Sequence, residues 1–237
     1  MAEFIFMLTR NDVTVDNALQ VYNEVRDTGL RYVGFKDIGL PFDQLKDLAA
    51  AIHAVGQQVM LEVVSERKED ELRSARAALD LGVDYLLGGT HAEEVTEILA
   101  GSTIQYCPYP GRIVGHPSQL RGTIEDIVAS ARSLTALRGV HGLDLLAYRY
   151  DGDADAVVQR VVEAVAAPVI VAGSVDSPER IRRLTSLGAW GFTVGGAVFD
   201  RRFVAGGSIR DQVEAVLALS QGAPAQNCHT PSRDRPS

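Results

Sequence analysis

Cysteine is nearly absent from this sequence, whose 237 residues include only Cys107 and Cys228. Two cysteines so far apart, without metal-ligand spacing, predict neither a disulfide framework nor a metal site, and they fit a reducing compartment. Basic charge is also scarce, because 23 Lys and Arg stand against 31 Asp and Glu, for a formal net charge of -8. Nucleic acids and membrane surfaces attract clustered basic residues, so we expect neither as a partner.

Long apolar runs and a dinucleotide fingerprint are missing as well. The N-terminal MAEFIFMLTRND has no basic region and only a short apolar run before Arg10, so it predicts neither a signal peptide nor a membrane span. We therefore expect a cytoplasmic protein whose partners are small molecules or, as a homo-oligomer, copies of itself. No G-x-G-x-x-G motif follows the first strand, which disfavours a Rossmann-type nicotinamide enzyme. Nothing in the sequence requires flavin, and we expect no cofactor.

What the sequence does contain is a regular alternation of apolar runs and amphipathic stretches. The eight runs lie at 3–9, 32–37, 58–64, 84–89, 103–108, 142–148, 169–174 and 191–196. Each is followed by a stretch of helical period, and several of these stretches begin at Ser, Thr, Asp or Pro and end at Gly. Eight such units predict a (β/α)8 barrel, an α/β fold, formed by a single domain over residues 1–220. An open, doubly wound sheet is the alternative.

The last residues, QGAPAQNCHTPSRDRPS at 221–237, lack apolar periodicity and are rich in Pro, Ser and other polar residues. This composition predicts a disordered C-terminal tail. His229 and Cys228 lie in it, but two ligands on a mobile segment make a poor metal site, so the tail is left out of the predicted site.

Small residues follow the seventh and eighth predicted strands, with Gly173-Ser174 after VIVA and Gly195-Gly196 after FTV. In (β/α)8 barrels these two loops often hold a phosphate, because small residues let backbone N–H groups approach its oxygen atoms. The alternative is that the glycines only permit tight turns between strand and helix. Their joint occurrence after strands seven and eight favours a phosphate site.

The stretch APVIVAGSVDSPERIRRLTSLGAWGFTVGGAVFDRRF resembles the last quarter of the phosphate-binding barrels of histidine and tryptophan biosynthesis, the ProFAR isomerase and phosphoribosylanthranilate isomerase group, and especially the ProFAR isomerase. The likeness extends back to GVHGLDLLAYRYDGD, so it covers residues 139–203, and the front half fits only as architecture. The resemblance implies a barrel fold and a phosphorylated ligand.

The same resemblance implies catalytic Asp residues at the ends of strands one and six. Read back from Asp151-Gly152, the sixth-strand position falls on Ala147, which cannot transfer a proton. At the first strand the only nearby aspartate is Asp12, which we interpret as a cap of the first helix rather than as a catalytic group. We therefore expect a reaction different from that of the ProFAR isomerase.

Two charged residues in apolar strands are the first catalytic candidates. Glu62 stands in MLEVV, where a carboxylate costs several kcal/mol unless it is paired or protonated, and Lys36 follows YVGF on the adjacent strand. A carboxylate in an apolar pocket can move a proton next to a carbonyl group, and a lysine can stabilise an enediolate or form a Schiff base. The alternative is a purely structural ion pair.

Other polar residues at predicted strand ends complete the candidate site. His91 after the fourth strand is a second proton carrier or simply the first residue of the next helix. We expect Asp37 and Arg149, after strands two and six, to contact the substrate.

The longest connection, CPYPGRIVGHPSQLRG, follows the fifth strand, and long structured loops are often lids. We expect this loop to fold over the substrate and to supply a charge from Arg112 or His116; a subunit contact is the alternative.

Three functions remain open at this point. The first is a cofactor-independent isomerase or epimerase of a phosphorylated sugar or sugar acid, with Glu62 as base and Lys36 as electrophile. The second is a lyase of the same substrate class, an aldolase with a Schiff base at Lys36 or a decarboxylase. The third is a barrel that binds a phosphorylated metabolite without turnover.

Overall fold

The computed structural model describes residues 1–65 and 67–222, in which eight parallel strands form a nearly closed barrel. In chain order, the first to eighth strands are Glu3–Met7, Tyr32–Lys36, Gln58–Val63, Tyr85–Gly88, Gln105–Cys107, Leu143–Leu145, Val169–Val171 and Gly191–Val194. The first strand pairs with the eighth and the second, and hydrogen bonds such as His141 N to Tyr106 O (2.8 Å) connect the fifth and sixth. The predicted (β/α)8 barrel is confirmed, and the open-sheet alternative is wrong.

Helices follow the strands and cover the outside of the barrel. The helices α1 to α9 are Ala18–Val25, Phe42–His53, Lys68–Leu81, Ala92–Ile98, Ile124–Thr135, Ala154–Ala164, Pro178–Ser186, Gly196–Phe199 and Ile209–Ser220. Local residues fix several of their ends. Thr123 and Ser208 form capping boxes at the starts of α5 and α9, and Gly82 ends α3 in the left-handed conformation that glycine adopts readily.

Side chains on each strand alternate between the helix layer and the barrel interior. On the first strand, Phe4 and Phe6 pack under the helices, whereas Ile5 and Met7 face inward. The inward cluster consists of Ile5, Met7, Tyr32, Met60, Leu87, Cys107 and Ile170, with Tyr85 and Trp190 packed against it. The rings of Tyr32, Tyr85 and Trp190, 5.5 to 6.3 Å apart, close the end of the barrel where the strands begin. The carboxyl ends of the strands form the opposite, open end of the barrel.

Two short hairpins interrupt the pattern at that open end. The first pairs Thr9–Arg10 with Val13–Thr14 before α1, and the second pairs Arg112–Val114 with Gln119–Arg121 in the loop after the fifth strand. No helix in the described ranges is long and apolar enough to cross a membrane. The predicted tail lies outside the described residues from 223 onward.

Candidate active site

A cavity of about 540 Å³ opens at the carboxyl ends of the strands, where active sites of (β/α)8 barrels lie. Its lining comes from the loops after the first, seventh and eighth strands, together with side chains of the second and third strands and of the segment after the sixth. Twelve of the 19 residues that line it are charged or otherwise polar, in contrast to the apolar interior of the barrel below. The cavity is therefore suited to a polar ligand.

Lys36 and Glu62 form the centre of the cavity floor. They are paired in register on the second and third strands, so both side chains point to the same face, and Lys36 Nζ lies 3.5 Å from Glu62 Oε1. The residues are only 3% and 5% exposed, yet both line the cavity. A lysine and a carboxylate buried together in this way offer a proton acceptor and a cation to the same ligand atoms.

Asp12 joins this pair, contrary to its interpretation as a helix cap. Helix α1 begins at Ala18, with Asn17 at its N-cap, so Asp12 has no capping role. Asn11 and Asp12 have positive φ angles of 52° and 66°, which turn the tip of the first hairpin back over the barrel. The buried carboxylate of Asp12 consequently contacts the ammonium group of Lys36.

Arg149 binds the same carboxylate in a bidentate manner. Its Nη2 and Nη1 atoms lie 2.9 and 3.0 Å from Oδ1 and Oδ2 of Asp12, and Nη1 also donates to the Ser118 carbonyl oxygen at 3.3 Å. Burial by itself would raise the pKa of Asp12, but the hydrogen bonds from Arg149 and the charges of Lys36 and Arg149 outweigh it. The pKa of Asp12 therefore lies well below its usual range, and the group is a permanent anion at neutral pH.

Tyr109 is a site residue that the sequence analysis missed. Its hydroxyl group donates to Glu62 Oε1 at 2.8 Å, and burial together with the Glu62 charge raises the pKa of Tyr109 well above its usual range. The ring reaches this place because it lies against Gly88, where an added Cβ would stand 2.7 Å from the ring atom Cζ. Gly88 at the end of an apolar strand is the one sequence signal that could have indicated such a close approach.

The segments predicted to hold phosphate meet on one side of the cavity. Gly173, Ser174, Gly195 and Gly196 all line it, and within the described chain their backbone N–H groups donate to no backbone or side-chain acceptor. Gly173 and Ser174 have positive φ angles of 75° and 57°, as in the backbone concavities that bind anions. We name these four residues the glycine-serine cradle. It has the free donors that an oxyanion requires.

Two features exclude a larger residue at position 173. The φ angle of Gly173 is positive, and an added Cβ would stand 2.7 Å from Arg149 Nε. The cradle and the group of charged side chains are thus in direct contact.

Two further ion pairs stand on the rim. Arg10 Nη2 lies 2.8 Å from Asp200 Oδ1, and Arg202 Nη2 lies 3.9 Å from Asp176 Oδ2. All four residues line the cavity and are half-exposed.

His91, a predicted catalytic residue, is not among the residues that line the cavity. Its Nδ1 atom lies 2.7 Å from Oε2 of Glu71, whose carboxylate also accepts hydrogen bonds from the backbone N–H groups of Thr90 (2.9 Å) and His91 (2.9 Å). The buried Glu71 draws the imidazole ring toward α3 and away from the barrel mouth. The structure thus favours the second interpretation of His91, as the residue that precedes α4.

The other predicted substrate contacts divide in the same way. Arg149 lies in the cavity, but Asp37 does not; its Oδ2 accepts hydrogen bonds from Ser74 and from Ser65 (3.3 Å), because neighbouring strand residues point to opposite faces. Burial raises the pKa of Asp37.

Arg112 and His116 belong to the second hairpin and also lie outside the cavity lining. Only Pro117 of this loop lines the cavity. The loop therefore borders the cavity through Pro117, whereas Arg112 and His116, from which we expected a charge, stand outside the lining.

Comparison with known proteins places these observations in a wider context. No protein-family model matches the chain. It is 30% identical over 191 residues to the 1-(5-phosphoribosyl)-5-((5-phosphoribosylamino)methylideneamino) imidazole-4-carboxamide isomerase, or ProFAR isomerase, of Haloarcula marismortui, covering 75% of this chain and 77% of the relative. The isomerase of the same name from Haloquadratum walsbyi is 27% identical over 190 residues, covering 75% of this chain and 76% of the relative.

Two solved structures share the fold at low sequence identity. Orotidine 5'-phosphate decarboxylase from Pyrococcus horikoshii has a TM-score of 0.65 and 13% identity, with 93% of this chain and 100% of that chain covered. N-acetylmannosamine-6-phosphate 2-epimerase from Clostridium perfringens has a TM-score of 0.60 and 12% identity, with 82% of this chain and 86% of that chain covered. These likenesses support the barrel architecture alone.

Proposed function

Because this chain belongs to the ProFAR isomerase family, we propose that it is an isomerase or epimerase of a phosphorylated sugar or sugar acid that works without a cofactor through an enediolate. The observation that carries the proposal is one cavity that contains both the glycine-serine cradle and the Lys36–Glu62 pair. The family relatives are isomerases by name, and Ala147, where the resemblance implies a catalytic Asp, argues for a different reaction in this chain.

In the proposed reaction the cradle holds the phosphate through its free backbone N–H groups. Glu62 accepts the proton from the carbon next to the substrate carbonyl group, and the electrons of that C–H bond form the C=C bond of the enediolate. The Lys36 ammonium group stabilises the negative charge that develops on the carbonyl oxygen. Return of the proton from Glu62 to the former carbonyl carbon, with transfer of the neighbouring hydroxyl proton to the former carbonyl oxygen, gives an isomer. Protonation of the original carbon by water from the opposite face, with release of the Glu62 proton to solvent, gives an epimer.

The neighbours of Glu62 suit it to this role. Tyr109 and Lys36 both contact Oε1, whereas no residue in the described ranges donates a hydrogen bond to Oε2. One oxygen is therefore fixed by the protein and the other is available to a substrate. Asp12, itself held by Arg149, contacts Lys36 and would orient its ammonium group toward the cavity.

A lyase with a Schiff base at Lys36 is the competing proposal. Formation of a Schiff base requires attack by the Lys36 amine on a carbonyl carbon. Lys36 contacts the carboxylates of both Asp12 and Glu62, and that attack would take Nζ away from both partners and leave two buried carboxylates without it. The contacts therefore favour the electrophilic role. Binding without turnover is the remaining candidate, and the experiment below distinguishes all three.

The test is exchange of carbon-bound hydrogen in deuterated water. The protein is incubated with a panel of aldose and ketose phosphates and sugar-acid phosphates, and deuterium incorporation next to the carbonyl group is followed by NMR. We expect exchange with at least one compound, a loss of about 100-fold or more in Glu62→Gln, and unchanged exchange in the exposed control Glu93→Gln. Exchange that is equal in Glu62→Gln and the wild type would refute the role of Glu62.

Borohydride added during turnover provides the second measurement. A covalent adduct on Lys36, absent in Lys36→Met, would establish the lyase in place of the isomerase. Tight binding of a sugar phosphate with neither exchange nor trapping would support the binding protein.

A further inference from the structure

We infer that the substrate carries a single phosphate group, whereas the compound that names the family relatives carries two phosphoribosyl groups. The inference rests on the proposed function, because it takes the glycine-serine cradle as the phosphate site. It goes further by excluding a second phosphate from the same cavity. Three observations support it: the charges of the cavity, the supply of free backbone donors, and the state of the other glycine pair at the barrel mouth.

The charges that line the cavity cancel. The basic residues Arg10, Lys36, Arg149 and Arg202 stand against the acidic residues Asp12, Glu62, Asp176 and Asp200. Each basic group already contacts one of these carboxylates. A second phosphate would bring about two more negative charges beside four carboxylates, with no uncommitted cation in the lining to offset them.

Backbone donors offset the missing cations at the cradle. Its four residues supply N–H groups that donate to no acceptor in the described chain. One phosphate can therefore be bound through backbone dipoles without an excess of basic side chains. Asn11 and Asp12 also line the cavity with backbone N–H groups that donate to no acceptor in the described chain, but these groups stand beside the Asp12 carboxylate, whose charge repels a second phosphate.

A second glycine pair stands at the barrel mouth, at Gly88-Gly89 where the fourth strand ends, four strands away from Gly195-Gly196. It does not line the cavity. The backbone N–H groups that follow it, those of Thr90 and His91, donate to the carboxylate of Glu71, which is 2% exposed. A carboxylate of the protein itself thus occupies these donors, and an added Cβ at Gly89 would stand 2.3 Å from Glu71 Oε1.

The test compares fructose 6-phosphate with fructose 1,6-bisphosphate by calorimetry, alongside phosphorus NMR titration with inorganic phosphate. We expect one phosphate ion per chain, and a bisphosphate affinity no more than about threefold above that of the monophosphate, because either of its two phosphates can occupy the one site. Two linked phosphate sites would instead strengthen binding by about 100-fold or more. That result, or two phosphate ions per chain, would overturn the inference and leave the proposed function intact.

A variant of the cradle tests whether the phosphate ion counted in the titration binds there. An added Cβ at Gly196 would meet no atom within 4 Å, so Gly196→Val can fold while its side chain occupies the space of the anion. We expect this variant to lose binding of all three probes, and the exposed control Thr103→Val to retain it, with thermal unfolding as the check on folding. Residual binding of the bisphosphate by folded Gly196→Val would reveal a second phosphate site and refute the inference.

The two proposals fail in different ways. Phosphate binding at the cradle without deuterium exchange would contradict the proposed isomerase and leave the single-phosphate inference in place. The absence of binding of any of the three probes to the wild type would contradict the cradle itself, and the inference with it.

Discussion

Replacement of Asp12 by asparagine removes the anion that two buried or half-buried cations share. In the wild type, Asp12 accepts two hydrogen bonds from Arg149, at 2.9 and 3.0 Å, and contacts Lys36. Loss of one partner of a buried ion pair typically costs 3–5 kcal/mol of unfolding free energy. Lys36 retains Glu62 at 3.5 Å and Arg149 retains the Ser118 carbonyl at 3.3 Å, so we expect the lower end, about 3 kcal/mol.

For a chain of this size, that change corresponds to a fall in Tm of roughly 6–12 °C. The assay is thermal and urea unfolding at pH 7 of the wild type, Asp12→Asn and the matched control Asp16→Asn. Asp16 is exposed on the same segment, so its substitution should change the unfolding free energy by less than about 0.5 kcal/mol. Equal stability of Asp12→Asn and the control would refute the claim that Asp12 neutralises the cavity cations.

The pH dependence gives an independent check on the same residue. The pKa of folded Asp12 lies below its unfolded value, so its contribution is complete well above about pH 4 and disappears as the pH falls toward the folded-state pKa. The difference between the wild type and Asp12→Asn should therefore stay constant from pH 8 to about pH 5 and shrink only in stronger acid. A difference that vanishes between pH 7 and pH 5 would point to another group.

Three further predictions concern neighbouring residues. Tyr109→Phe should lower the unfolding free energy by about 1.5–3 kcal/mol in urea denaturation, because it removes a hydrogen bond to the Glu62 carboxylate; unchanged stability would contradict that bond. Burial, followed by the Glu62 charge, raises the pKa of Asp144 well above its usual range, and neither of its carboxyl oxygens has a partner in the described chain. Asp144→Asn should therefore be more stable than the wild type at pH 7. This difference in unfolding free energy should disappear near pH 4, where the Asp144 carboxyl group is increasingly protonated in the unfolded as well as the folded wild type. A difference that does not change with pH would refute this. Gly195→Ala should lower the Tm clearly more than Gly196→Ala, since a Cβ at Gly195 would stand 2.5 Å from a side-chain oxygen of the first hairpin and one at Gly196 meets nothing within 4 Å; equal Tm values would contradict this packing.

Much of the site could be predicted where one strand and its neighbour suffice. Lys36 and Glu62 could be paired from the sequence because each occupies an inward position near the end of an adjacent strand, and the in-register contact follows from that alone. The glycine-serine cradle could be located because its four residues follow directly after two apolar strands. Its capacity to bind phosphate remains a proposal.

Asp12 and Tyr109 could not be placed by the same reasoning. Asp12 and Arg149 are 137 positions apart, and they meet only because a hairpin with two left-handed residues folds back over the barrel. Tyr109 reaches Glu62 across 47 positions through the space that Gly88 leaves free. For His91 the sequence suggested a role that the structure does not support. Its position after a strand suggests catalysis, but Glu71 on the preceding helix binds its ring.

The sequence by itself determined the barrel, because alternation of apolar strands and amphipathic helices is a local pattern that eight repeats make unambiguous, and it determined which residue types stand at the strand ends. Only the tertiary structure decided which of these side chains share the cavity. A strand end fixes the position of a backbone, whereas the direction of a charged side chain depends on the partner that satisfies it. Those partners, Arg149 for Asp12 and Glu71 for His91, come from distant parts of the chain.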